Sequence, residues 1–222
     1  AIGEVTLESK SAIDEANAAW KALNRTQKKL VPNWSVLDTA KKSYRNLFNA
    51  KAVEEKIEAI GEVTLASKSA IEEAEAAYQA LTADQKQLVT NTDVLAAARK
   101  SYNDLAAAKA VKDQIAAIGK VTLTSKSAIE AAESAYAALT AEQKLLVTNA
   151  DVLAAARKSY NDLAAAKAVE DQIAAIGKVT LTSKSAIEKA EAAYEALTEE
   201  QKALGSNADL IAAAKTAYEN LQ

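Results

Sequence analysis

The side chains in this sequence that could do chemistry are carboxylates, lysines, hydroxyls and a few aromatics. The 222 residues contain no cysteine, histidine or methionine. Serine–histidine and cysteine–histidine catalysis are thereby excluded, the usual zinc and copper ligands are missing, and no disulfide can form. The acidic residues do not supply a reaction either. Glu170 and Asp171 are neighbours on a predicted helix, so they point in different directions and cannot share a proton or a substrate atom. Lys158–Asp162 and Lys167–Asp171 are i,i+4 pairs in the less favoured order, stabilising by a few tenths of a kcal/mol at about the most. They read as solvated faces. There is no glycine-rich phosphate loop and no calcium loop. The expectation is a protein that is not an enzyme, with no cofactor and no metal.

Two asparagines, in Asn24-Arg-Thr26 and Asn33-Trp-Ser35, match a glycosylation sequon. Both also stand where helix N-caps are expected, and capping is the stronger reading. Tyr136 and Tyr160 are of a type that stacks on sugars or bases. Their spacing places them on core faces, with the hydroxyl reaching the rim. Two aromatics break the pattern. Trp34 stands where later copies have Thr92 and Ala150, and Phe48 where they have Ala106 and Ala164. Fourteen residues apart, they differ by about 40° around a helix and roughly 21 Å along it. Either they are exposed anchors of a protein- or glycan-binding face, or they pack against an upstream element or seal the end of their own bundle.

The elements that must position these residues come from a repeat. Gly3, Gly61, Gly119 and Gly177 are each 58 residues apart, as are Trp20, Tyr78, Tyr136 and Tyr194. Residues 61–118 and 119–176 differ at 9 of 58 positions. Such a period marks a tandem array. The copies are 1–60, which is divergent and lacks its preceding helix, then 61–118, 119–176 and a truncated 177–222. The first is net basic over residues 1–58, with 10 Lys and Arg against 8 Asp and Glu.

In the third copy, Gly119 suits a left-handed position just past a helix end. An extended connector follows, and Ser125 is the expected N-cap of the next helix. Ile129, Ala132, Tyr136 and Leu139 recur at helical spacing. Thr140-Ala-Glu-Gln143 is a capping box, repeated at Thr82–Gln85 and Thr198–Gln201. It opens a short helix whose expected core residues are Leu146 and Val147. Asn149 is then expected to cap a long helix over 150–176. Its apolar positions are Leu153, Ala156, Tyr160, Leu163, Ala166, Val169, Ile173 and Ile176, with no break in phase.

The second half of that helix needs something to pack on. Val179, Leu181, Ile187 and Tyr194 of the following copy are the nearest candidates. The expected fold is therefore all-α: an elongated tandem array of four small three-helix bundles, joined by long helices shared between neighbours. The competing picture is beads on an alanine-rich linker, although linkers are normally rich in Gly, Ser or Pro. In the fourth copy Gly205 replaces Val31, Val89 and Val147, which puts the end of its short helix in question.

The I-G-x-V-T-L corner, the capping box and the tyrosine pairs recur together. In these features the chain resembles the helical-bundle repeats of large Gram-positive cell-surface adhesins, and is similar to their FIVAR and GA-type modules. The resemblance implies a structural stalk outside the cell, anchored to the cell wall through regions beyond this sequence, which looks like a fragment of something longer. It also implies an alternative role, as a module that recognises a host serum or matrix protein or a glycan through a helix face. A cytosolic scaffold or a designed repeat protein is a third class. The expected partners are neighbouring repeats and domains of the same chain and, for the binding role, a host protein or glycan. The chain is expected to be a monomer that inserts into no membrane. The net charge of −3 gives no reason to expect nucleic acid.

Overall fold

The computed structural model describes residues 3–205 and 207–222, and every regular element among them is helical. The first copy holds α1 (Lys10–Ala22), α2 (Arg25–Lys29) and α3 (Trp34–Glu58). The second holds α4 (Lys68–Ala80), α5 (Ala83–Lys86) and α6 (Thr92–Ile118). The third holds α7 (Lys126–Ala138), α8 (Ala141–Leu145) and α9 (Ala150–Ile176). The fourth holds α10 (Lys184–Glu195), α11 (Glu199–Lys202) and α12 (Asn207–Glu219). The expected long helix over 150–176 is α9 to the residue. It contains neither proline nor glycine, and its alanine-rich sequence favours the helix.

Several local expectations are corrected. Ser125 is not the side-chain cap of α7. A single 3₁₀ turn, Leu123–Ser125, precedes that helix, and Thr122 caps the turn. Ser125 Oγ accepts instead from the Thr122 amide at 3.0 Å, as the far member of a capping box. Gly119, expected in a left-handed position, has a positive φ of 56°; its counterpart Gly177 has φ 59° and ψ −136°, outside the left-handed helical region. That combination is one only glycine enters readily. Leu146 is exposed, and Val147 alone of the expected pair is buried. Leu181 is 61 % exposed and outside the cluster, whereas Tyr194 packs against the cluster that contains Val169 and Ile173. In the fourth copy α11 is as long as α5, so Gly205 does not shorten it. It removes a core valine instead, and a side chain there would meet Glu170 Oε1 at 2.9 Å.

The chain divides into two compact units, Ala1–Ala106 and Ala107–Gln222, with the division inside α6. In the first unit α3 packs on α1 with its first half. Its second half contributes Ala50, Val53 and Ile57 to a cluster with Ile60, Ile71, Ala74, Val89, Leu95 and Ala98. In the second unit α9 does the same. Leu153 and Ala156 belong to one cluster with Ile115 and Ile129. Val169 and Ile173 belong to another with Ala190, Leu197 and Ile211. The two halves of α9 thus serve two hydrophobic clusters, while α3 packs on α1 and contributes its second half to a cluster with α4 and α6. Ile176 is half-buried against the second of these clusters.

No helix among the described residues is long and apolar enough to cross a membrane.

Candidate functional site

The chain's polar side chains converge on the places where one copy meets the next. Each capping box is formed as the sequence implies. Thr82 accepts from the Gln85 amide at 3.3 Å, and Gln85 Oε1 accepts from the Thr82 amide at 3.0 Å. The box leaves the glutamine's amide group free to reach elsewhere. Gln85, 6 % exposed, donates through Nε2 to Asn46 Oδ1 on α3 at 3.1 Å. In the second unit Gln201 repeats the box with Thr198 and donates to Asp162 Oδ1 on α9 at 2.8 Å. One side chain therefore starts a short helix and fastens it to the long helix of the preceding copy.

A second tie lies just beyond. Asn91 and Asn149 stand before α6 and α9, where side-chain caps were expected. Asn149 makes no cap hydrogen bond. Asn149 Nδ2 donates instead to the Lys112 carbonyl at 3.1 Å, and Asn91 Nδ2 donates to the Glu54 carbonyl at the same distance. These carbonyls belong to the preceding long helix. Asn24, by contrast, caps α2 with its side chain as expected, accepting from the Gln27 amide at 2.9 Å. Asn33 occupies a cap position without a side-chain cap bond.

Glu54 adds a third tie. One of its oxygens accepts from both the amide and the hydroxyl of Thr90, at 2.9 and 2.6 Å. Those two donors hold its carboxyl below the usual carboxylate range.

Within a copy, one further pair recurs. Arg99 reaches Glu75 through Nε and Nη2 at 2.7 and 2.6 Å, and Arg157 reaches Glu133 in the same way. Each arginine lowers the pKa of its partner glutamate through these hydrogen bonds. Lys215–Glu191 stands at the same positions in the fourth copy, and Lys41–Asn17 in the first. The arginines also lie over Tyr102 and Tyr160, while Lys86, Lys144 and Lys202 lie over Tyr78, Tyr136 and Tyr194. These tyrosines are half-buried against the clusters, the core-rim position expected of them. Lys158–Asp162 and Lys167–Asp171 form as i,i+4 pairs on exposed lysines. Among the described residues no group of three acidic side chains could hold a metal ion.

Trp34 and Phe48 are 52 and 55 % exposed, and each is paired locally. Trp34 stacks on Trp20, with ring centroids 6.2 Å apart and an interplanar angle of 17°. Phe48 lies 6.2 Å from Tyr44 on its own helix. The two residues do not form one patch. The groove beside Trp34 differs between copies. The groove between α4 and α6, lined by Tyr78, Thr92 and Arg99, holds about 330 Å³. Its counterpart in the first copy, lined by Trp20, Trp34 and Lys41, holds about 80 Å³. Trp34 stands here in place of Thr92, and Asn17, Trp20, Asp38 and Lys41 stand in place of Glu75, Tyr78, Ala96 and Arg99.

No family model, curated protein or solved structure matches the chain.

Proposed function

We propose that the chain is a structural spacer: four small three-helix bundles in tandem, stacked through shared long helices as a semi-rigid stalk. The observation that carries this proposal is α9, whose first half lies in one hydrophobic cluster and whose second half lies in the next. α3 supports it independently in the other unit, because it packs on α1 and also on α4 and α5. A helix that must bend at such a joint has to break its own hydrogen bonds or open a cluster, so each copy adds length without adding a free hinge. Near-identical copies let recombination change reach in steps of one repeat.

On its resemblance to Gram-positive surface repeats, we read this stalk as standing outside the cell and holding a binding domain away from the wall. Small-angle X-ray scattering tests the shape. A compact globule of this length has a radius of gyration of about 17 Å. Four stacked units, roughly 130–160 Å long, give about 40 Å. A value near the lower figure defeats the stalk, and a broad distribution of lengths favours beads on linkers.

One observation favours a second role, recognition of a host protein or glycan: Trp34 and Phe48 leave half their surface in solvent. Single repeats assayed against serum proteins, matrix proteins and glycans decide it, and absence of binding by every repeat removes it.

A further inference from the structure

The fourth copy is packed differently from the second and third along one line. Ile60 and Ile118 are buried, as are Ala98 and Ala156, but their counterparts Ile176 and Ala214 are only half-buried. Val63 and Val121 pack against their clusters, whereas Val179, at the same position, stands outside the fourth copy's cluster. A missing neighbour is not the cause. The third copy's cluster draws on residues from Ala108 to Tyr160, and their counterparts, 166–218, are all present in the fourth.

What differs is the start of α12. Val89 and Val147 are buried, and Gly205 stands in their place. Asn91 and Asn149 donate to the carbonyls of Glu54 and Lys112. Asn207 Nδ2 donates instead to the Ala166 carbonyl at 3.5 Å, one helical turn before Glu170, the counterpart of those two residues. Gln201 keeps the register of Gln85, each reaching the residue 39 positions before it. The start of α12 is thus anchored a turn earlier along α9, while α11 is not.

An apolar groove of about 380 Å³ lies between α9, the corner that follows it and α12. Ile173, Ile176, Val179, Leu210, Ala213 and Ala217 line it, and Glu170 is the one charged residue at its wall among the described residues. A β-carbon at position 205 would meet Glu170 Oε1 at 2.9 Å, so the glycine leaves room for this carboxylate. Among the described residues the carboxylate has no hydrogen-bond or ion-pair partner, and the nearby Lys167 is bonded to Asp171 instead.

We propose that this groove binds a small primary alkylammonium ion, its chain against Ile173, Ile176 and Leu210 and its head at Glu170. An apolar cleft of this size with one placed charge has the make-up of a small-molecule site. Residues 170 to 177 span about 10 Å of helix, roughly the reach of an extended octylammonium ion. The carboxylate selects the sign of the head group, and the apolar wall selects chain length. The corresponding groove of the first copy, beside Gly3 and Val5, holds about 250 Å³ and lacks an acidic lining residue. Thr39 and Ser43 stand there in place of Ala213 and Ala217. The site stands whether or not the chain is a stalk.

The test is octylammonium chloride, kept below its micellar concentration, titrated into the isotopically labelled full chain and followed by backbone amide NMR. Saturable shifts are expected over residues 170–179 and 210–217, and much smaller ones over 3–5 and 35–43. Butylammonium and octanoate should each bind at least about tenfold more weakly, the first through lost apolar burial and the second through repulsion from Glu170. Glu170→Gln should leave octylammonium no better a ligand than octanol. Gly205→Val restores the valine of the other copies and should weaken octylammonium binding by about tenfold or more. Ala213→Leu fills the groove from an exposed position and should do the same without touching the core. Absence of saturable shifts overturns the proposal, as do equal shifts in the two grooves. Octanoate binding as tightly as octylammonium, or binding indifferent to Ala213→Leu, overturns it as well.

Discussion

Gln85 Nε2 lies 3.1 Å from Asn46 Oδ1, across the boundary between two copies, while the other end of the same amide closes the capping box of α5. A residue chosen to begin a helix is thus also the fastening of that helix to its neighbour. Gln85→Ala should destabilise the first unit by about 1–2 kcal/mol, since a cap and a largely buried hydrogen bond are lost together. Gln85→Glu keeps the cap acceptor and loses the donor to Asn46. If urea denaturation shows the two variants equally stable, the tie to Asn46 contributes nothing.

The joint predicts coupled damage. Val169 is 3 % exposed and packs in the cluster with Ala190 and Ile211. Val169→Asp places an unpaired carboxylate in that cluster and should cost about 3 kcal/mol or more. The loss should appear as faster amide exchange in α10 and α12, although the changed residue lies on α9. Unchanged exchange there would make the second half of α9 a mere linker.

Gly177 separates steric from conformational causes. A β-carbon built on it meets nothing within 4 Å, yet φ is 59° and ψ is −136°. Gly177→Ala should therefore cost about 1–3 kcal/mol through backbone strain alone. Asn, which tolerates the left-handed helical region, should not rescue it, because ψ lies far from that region. Thermal melts of the two variants check this, and a stable Asn variant would point to a left-handed cap here, as expected for the counterpart Gly119.

Much of this was legible in the sequence because the repeat supplies several copies of each signal. The bounds of α9 followed from an unbroken apolar phase and a single glycine stop. The capping boxes followed from Thr and Gln at fixed spacing. The roles of Asn91 and Asn149 did not, because an asparagine before a helix is ordinarily a cap, and only packing brings the Glu54 and Lys112 carbonyls within reach. Ser125 was misjudged for a similar reason: a 3₁₀ turn of one residue triplet leaves no periodicity to read. Leu146 and Val147 are adjacent apolar residues at the end of a short helix, where a pattern of period 3.6 is too brief to choose between them. For Trp34 the sequence left anchor and seal both open, because the ring it stacks on, Trp20, lies on another helix.

Acid should loosen the ties. The folded-state pKa of Glu54 is lowered by Thr90, and those of Glu75 and Glu133 by Arg99 and Arg157. A group that holds its proton less tightly in the folded chain stabilises the fold fully above its unfolded pKa. That contribution is lost as pH falls through the lower folded value. The melting temperature should therefore hold steady near neutrality and fall between about pH 5 and pH 3. Replacing all three glutamates with glutamine should lower the melting temperature at pH 7 and flatten the decline below pH 5. An equally steep decline in the triple variant would assign the acid sensitivity to other carboxylates.

Trp34 offers the sharpest test of whether the divergent first copy is built to bind or to seal. Its ring stacks on Trp20 and lines a groove of about 80 Å³ whose counterpart in the second copy holds about 330 Å³. Trp34→Thr restores the residue found at position 92. If the indole is a seal, the variant should lose about 0.5–1.5 kcal/mol from the stacked pair, and the fluorescence of Trp20 should shift toward that of a more hydrated indole. If it is instead a binding anchor, stability should barely change, while affinity for a host protein or glycan identified in a single-repeat panel should fall by about tenfold or more. The Phe48→Ala variant provides the contrast. Phe48 contacts Tyr44 on its own helix and lines no groove with Trp34, so its loss should leave the Trp20 signal unchanged in either case.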